Sequence, residues 1–160
     1  MRLYLVQHGE AASESESPKR PLTEDGKAAV MKSARFIRQD GVEVDRIWHS
    51  TKLRAVQTAE IFAGELQIRE LCEKREGIHP NDPVEPIAKE INALRPEDEI
   101  EDLMIVGHLP FLQKLASTLL SGDSSHEWVR FRQGGIVCLE RENHGPWQLT
   151  WAVVPDLLKT

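Results

Sequence analysis

The chain has 160 residues, of which 40% are hydrophobic and 29% are charged, and its formal net charge is −6. These values are typical of one soluble globular domain over residues 1–160 and exclude disorder of the whole chain. The acidic balance argues against binding to nucleic acid or to an anionic membrane. The apolar runs are far shorter than the roughly 20 residues of a membrane helix, and the apolar N-terminus is too short for a signal peptide. Cys72 and Cys138, far apart in the chain, favour reduced thiols in a cytoplasmic protein.

Strand and helix patterns alternate along the first half of the chain. Residues 2–6 predict a strand, and Thr23 is expected to cap a helix that Gly41 ends. Residues 45–49 predict a second strand, and apolar residues at helical spacing predict a helix over residues 52–66.

The alternation continues in the second half. Residues 84–94 predict a helix, and the apolar run 103–106 is typical of a strand covered on both faces. Pro110 suits the first position of the next helix, which Gly122 ends. This order of elements predicts a single α/β domain with a mixed sheet.

The C-terminal segment changes to the two-residue period of strands. Residues 135–140 and 147–154 predict two strands joined by residues 143–146, a β-hairpin at the end of the chain. Apolar residues alternate with polar or small ones in the second strand, which predicts one apolar face formed by Trp147, Leu149, Trp151 and Val153.

Three polar residues follow predicted strands at their carboxyl ends, where open α/β sheets bind ligands. His8 follows the first strand, Arg54 lies in the first helical turn after the second, and His108 follows the apolar strand 103–106. If these strands are neighbours, a neutral imidazole able to attack phosphorus meets a guanidinium and a second imidazole able to hold phosphoryl oxygens. Each residue alone is more often structural than catalytic, but three at matching strand ends indicate phosphoryl transfer.

The other histidines show no HxH or HExxH spacing, so we expect no metal and no cofactor. His79 lies in the segment 77–82, which could reach the rim of the pocket, but we expect His79 on the surface; the remaining histidines are His49, His126 and His144. A Gly-rich phosphate loop is also missing from the sequence, which argues against a nucleotide site.

The motifs resemble those of the histidine phosphatase superfamily, and most of all the small SixA-type phosphohistidine phosphatases. The resemblance covers nearly the whole chain and implies a phosphoglycerate mutase-like fold, with a mixed, mostly parallel sheet flanked by helices. It rests on four segments: LVQHGE at 5–10, RPLT at 20–23 with Gly26, STKLRAVQTA at 50–59 and VGHLP at 106–110.

The resemblance also implies roles for individual residues. His8 would be the nucleophile that becomes phosphohistidine, and Arg54 and His108 would be catalytic residues that hold the phosphoryl oxygens. The phosphate-binding candidates are Gln7, Gly9, Arg20, Arg54 and His108. For Arg20 a solvated position beside Lys19 is an equal alternative.

Gln7 departs from the superfamily signature, which has Arg-His-Gly at this point. Glutamine keeps an N–H donor but loses the charge, and charge-assisted hydrogen bonds are about twice as strong as neutral ones. Phosphate affinity and rate should therefore fall relative to a member with arginine, unless Lys19 or Arg20 compensates.

These features predict a metal-independent phosphohistidine phosphatase acting on a phosphorylated protein, such as a histidine-containing phosphocarrier or phosphotransfer domain, as a cytoplasmic monomer. The carboxylates in the region where many relatives hold a general acid lie in no recognisable motif; they are Glu73, Glu76 and Asp82. An imidazole leaving group needs less proton donation than an alkoxide, so a missing acid favours an N–P substrate. Two alternatives stay open: a phosphatase for small phosphomonoesters, and a phosphoprotein-binding module that has lost turnover.

Overall fold

The computed structural model describes residues 1–159. Its six strands are β1 Arg2–Gln7, β2 Arg46–His49, β3 Cys72–Lys74, β4 Asp102–Gly107, β5 Ile136–Glu140 and β6 Gln148–Val153. They form one sheet in the order β3-β2-β4-β1-β5-β6. Strands β3, β2, β4 and β1 are parallel, whereas β5 and β6 run antiparallel to their neighbours. The predicted mixed, mostly parallel sheet with a C-terminal hairpin is confirmed.

Four helices cover the two faces of the sheet: α1 Glu24–Gln39, α2 Leu53–Leu66, α3 Glu85–Ala93 and α4 Phe111–Ser121. Helices α1 and α2 pack on one face, and α3 and α4 pack on the other. The Thr23 hydroxyl accepts a hydrogen bond from the Gly26 N–H at 2.9 Å, so this predicted cap is confirmed. In residues 1–159 the helices are too short or too polar to cross a membrane.

The centre of the sheet is β4 paired with β1, and every residue of β4 is buried. Alternate residues of β1 contribute to opposite faces, with Leu3 and Leu5 packed among residues of α3 and α4, and Tyr4 and Val6 among those of α1 and α2. This alternation explains why the central strands read as continuous apolar runs: both faces are covered by helices.

Strand β6 does not have the single apolar face that its alternation predicts. A register shift against β5 places Leu149 opposite Leu139 but Trp151 opposite Cys138. Trp147 consequently packs with the α3–α4 side of the sheet, whereas Trp151 and Val153 pack on the α1–α2 side. A β-bulge inserts one residue and so moves the following side chains to the other face.

Two smaller differences concern the ends of elements. The edge strand β3 has only three residues, too few to show a two-residue period in the sequence. Pro110 precedes α4 instead of occupying its first position. Neither difference moves the carboxyl ends of the central strands, where the predicted site lies.

Candidate active site

The carboxyl ends of β2, β4 and β1 meet at one edge, because these strands are neighbours and run parallel. This places the rings of His8 and His108 side by side, with 5.2 Å between their centroids. Arg54, in the first turn of α2, lies close enough for its charge to lower the pKa of both histidines. The fold therefore brings together the three residues that the sequence indicated.

His8 is held in one tautomer. It is buried, and its Nδ1 lies 2.7 Å from the Gly9 carbonyl oxygen. A carbonyl oxygen only accepts, so Nδ1 carries the proton and donates it, and Nε2 keeps its lone pair. Burial, and then the charges of Arg54 and Arg20, lower the pKa of His8 to about 4 against the opposing effect of the Gly9 bond. At neutral pH the ring is thus uncharged, and its Nε2 is unprotonated.

The titration of His8 follows from this environment. Its folded pKa of about 4 lies below the 6.5 of an ordinary histidine, so between these values the unfolded chain binds a proton that the folded chain does not. The free energy of unfolding therefore falls as the pH falls through this window. Long-range ¹H–¹⁵N NMR over pH 3–8 should show the Nδ1–H tautomer at neutral pH and a midpoint well below 6.5. A midpoint at pH 6 or above would contradict the buried, hydrogen-bonded geometry.

Ser50 orients the second histidine. Its hydroxyl is buried, lies 2.8 Å from His108 Nε2 and accepts a 3.3 Å hydrogen bond from the Lys52 N–H. The Ser50 hydroxyl proton finds an acceptor when the O–H donates to Nε2, and the proton of the neutral ring is then on Nδ1. The sequence showed Ser50 at a strand end but assigned it no role.

His108 Nδ1 is buried and has no hydrogen-bond partner within residues 1–159. Burial, followed by the charges of Arg54 and His8, lowers the pKa of His108 to about 3. The ring is therefore neutral at pH 7 and presents an N–H without an acceptor. Buried donors are normally paired, so this atom marks a place where a ligand oxygen belongs.

Arg54 shows the same feature. Its Nε is buried without a partner in the described chain, and burial together with the charge of Arg20 lowers its pKa. Arg20 lines the same cleft, along with Thr51 and Lys52. Its Nε donates to the Ala12 carbonyl at 3.0 Å. Unpaired cationic donors beside an unpaired imidazole N–H form the donor set of an anion site.

Gly9 has a different role from the phosphate contact that the sequence suggested. Its N–H donates to Thr58 Oγ1 at 3.0 Å, so this amide is already used. A Cβ at this position would lie 2.7 Å from Cγ2 of Val30 in α1. The glycine is thus required for packing against the helix, and its carbonyl fixes the His8 tautomer. Thr58, which also donates to the Arg54 carbonyl at 2.8 Å, ties α2 to this loop and was missed in the sequence.

His79 is half-buried. Its Nε2 lies 2.6 Å from Oγ1 of Thr51, a residue that lines the cleft. The segment that contains His79 therefore reaches the rim of the cleft. Gln7 ends β1 half-buried opposite Gly107, and Lys19 is exposed on the cleft wall.

The three candidate acids have other contacts. A Glu73 oxygen lies 3.8 Å from Arg46 Nη1, and a Glu76 oxygen lies 3.8 Å from His79 Nε2. Asp82 accepts the His79 backbone N–H at 2.8 Å. Over residues 1–159, no group of three or more His, Cys, Asp and Glu side chains is arranged to hold a metal ion.

Comparisons with known proteins agree with this geometry. The profile of the Histidine phosphatase superfamily (branch 1) matches residues 3–79. The chain is 26% identical over 160 residues to the phosphohistidine phosphatase SixA of Escherichia coli (strain K12), covering 99% of this chain and 97% of that protein. It superimposes with a TM-score of 0.88 on a structure of the protein histidine phosphatase SixA complexed with tungstate, at 26% identity, covering 99% of this chain and all (100%) of that one.

The fold is shared more widely than the sequence. The alpha-ribazole phosphatase from Shigella flexneri superimposes with a TM-score of 0.74 at 17% identity, covering 94% of this chain and 95% of that one. At that identity the likeness concerns the fold alone. The profile match over residues 3–79, the full-length similarity to SixA and the paired histidines at one sheet edge support a histidine-type phosphatase that resembles the histidine phosphatase superfamily.

Proposed function

We propose that this phosphatase hydrolyses phosphohistidine on a protein, with His8 as the transient phosphoryl acceptor. The observation that carries the proposal is the pair of buried donors without partners, Arg54 Nε and His108 Nδ1, beside an imidazole whose Nε2 is unprotonated. These donors suit the oxygens of a phosphoryl group, and Nε2 suits attack on its phosphorus.

In the first step the His8 Nε2 lone pair forms a bond to phosphorus, and the N–P bond of the substrate breaks. The substrate ring enters protonated at its other nitrogen, so the bonding pair returns to it and it leaves as neutral imidazole. His8 keeps its Nδ1 proton, which still donates to the Gly9 carbonyl. Arg54 and His108 hold the equatorial oxygens, whose charge they stabilise.

In the second step a water oxygen attacks the phosphorus and the His8 N–P bond breaks. The electron pair returns to Nε2, one water proton goes to solvent and phosphate leaves. The Nδ1 proton makes this second leaving group a neutral imidazole as well. The Gly9 hydrogen bond therefore favours both halves of the reaction, because it keeps the ring protonated at the atom that does not react.

Three features favour an N–P bond over an alkyl phosphate. Apart from the two histidines themselves, the charged groups that shift the pKa of His8 and His108 are cations. None of Glu73, Glu76 and Asp82 is among them. An alkoxide needs a proton from a nearby acid, whereas a protonated phosphoimidazole carries its own. A relative that matches 99% of this chain is a phosphohistidine phosphatase. We therefore expect the substrate to be a histidine-containing phosphocarrier or phosphotransfer domain. The enzyme would act on it as a cytoplasmic, single-domain monomer.

The test is phosphate release from a histidine-phosphorylated phosphocarrier protein, run beside an aryl phosphate, with wild type and His8→Ala. We expect wild type to prefer the phosphoprotein and His8→Ala to lose at least about a thousandfold in kcat/KM. Equal or better use of the aryl phosphate would favour the phosphomonoesterase alternative. Phosphoprotein binding without turnover in wild type would favour the binding module and overturn the proposal.

A further inference from the structure

We propose that Lys52 supplies the cationic contact to the phosphoryl group that Gln7 does not provide. The inference rests on the proposed function only in taking a phosphoryl group as the ligand. Lys52 is the last residue of the loop between β2 and α2, immediately before the first residue of the helix.

Lys52 is joined to the site through its backbone. Its N–H donates to Ser50 Oγ at 3.3 Å, and Ser50 Oγ lies 2.8 Å from His108 Nε2. Its side chain lines the cleft that Arg20 and Arg54 also line. The charge of Lys52 is among those that lower the pKa of His108. The lysine thus lies on the His108 side of the centre.

Position 7 lies on that same side. Gln7 pairs with Gly107 in the parallel register of β1 and β4, and His108 is the next residue. Position 7 therefore lies at the same strand end as His108. Lys52 and Arg54 line the same cleft, and they are the side chains of fixed positive charge that lower the pKa of His108.

The cations of the cleft are available for an anion. Within the described residues, Arg20, Lys52 and Arg54 form no ion pair with a carboxylate, unlike Arg2, Arg35, Arg38, Arg46 and Arg75. Glu14 also lines the cleft, but it is exposed and lies outside 4.0 Å of all three cations. A cluster of unpaired cations is repulsive unless an anion occupies it.

Two other basic residues are weaker candidates for this role. The charge of Arg20 lowers the pKa of His8 and of Arg54, and its Nε donates to the Ala12 carbonyl at 3.0 Å. Lys19 lines the cleft and is exposed, as Lys52 is, but Lys19 is not among the groups that shift the pKa of either histidine. Lys52 is the lysine that combines a place in the cleft with an effect on His108.

The experiment measures binding of inorganic phosphate and of tungstate by calorimetry, so it does not depend on turnover. The variants are Lys52→Met, Lys52→Arg, Gln7→Arg and the double variant Gln7→Arg/Lys52→Met. Lys89→Met is the matched control, because Lys89 is an exposed lysine of α3 outside the cleft. We expect Lys52→Met to weaken both anions about tenfold, as loss of one charge-assisted hydrogen bond would. Lys52→Arg and Lys89→Met should bind as wild type does.

The double variant tests whether the two positions share one role. Gln7→Arg should improve binding little in wild type but should restore most of the affinity in the Lys52→Met background, a non-additivity that a structural role of Lys52 does not predict. Equal effects of Gln7→Arg in both backgrounds, or a Lys52→Met variant that matches Lys89→Met, would overturn the inference. Wild type that binds no phosphate would overturn it too. Phosphate binding that depends on Lys52 in a protein with no turnover would leave the inference standing while the proposed function fails.

Discussion

Replacing Arg54 by methionine should abolish most of the activity without destabilising the fold. The charge of its guanidinium lowers the pKa of both His8 and His108, and its Nε is buried without a partner in the described residues. Removal of one preorganised donor to a developing oxyanion lowers kcat by about a hundredfold to a thousandfold. Because a buried Nε without a partner is unfavourable in the absence of an anion, Arg54→Met should melt at the same temperature as wild type or higher.

The measurement combines kinetics with thermal melts. We expect phosphate to raise the Tm of wild type and to leave the Tm of Arg54→Met unchanged, because a ligand stabilises only the state that binds it. Arg69→Met, an exposed arginine just after α2, is the control and should keep both activity and the phosphate effect. An Arg54→Met variant that loses stability together with activity would mean that Arg54 serves the fold and not the anion.

Substitution of Gly26 by alanine should be the most damaging small change to stability. Gly26 lies in the first turn of α1, and a Cβ there would overlap the Glu10 carbonyl oxygen and lie 3.0 Å from two other backbone atoms of that residue. Backbone atoms cannot rotate away as a side chain can, so the loop after His8 must shift. We expect a loss of about 3 kcal/mol in the free energy of unfolding, or about 10 °C in Tm.

Gly64→Ala is the matched control in α2. Its added Cβ would meet the far end of the Arg69 side chain, which is flexible. Alanine in a helix interior is favoured over glycine by roughly 0.5–1 kcal/mol, so this variant should melt at the wild-type temperature or above it. Gly26→Ala should also lower kcat/KM, because Glu10 is two residues from His8. A Tm equal to wild type would show that the two backbones are not in this close contact.

The loop after β1 serves both the packing of the fold and the chemistry of the site. Gly9 and Gly26 let the loop approach α1, and the Gly9 carbonyl then holds the His8 proton on Nδ1. A change in the packing of this loop against α1 should therefore displace the His8 ring. Activity losses in glycine variants here should follow the displacement of His8 and not a loss of phosphate contacts.

Local patterns in the sequence determined much of this protein. The apolar run of β4, the Thr23 cap and the residues at the strand ends were visible without a structure, because burial, capping and strand periodicity act over a few residues. His8, Arg54 and His108 could be selected together, since parallel strands bring their carboxyl ends to one edge.

Only the tertiary structure decided the features that depend on contacts between distant segments. The bulge opposite Cys138 divides the apolar residues of β6 between two faces, and no short-range pattern specifies a register against another strand. The amide of Gly9 goes to Thr58, and His108 is oriented by Ser50, which lies 58 positions earlier in the chain. The protonation of the two histidines also depends on tertiary structure. Their rings become buried, and come close to the charge of Arg54, only when three strands and a helix meet.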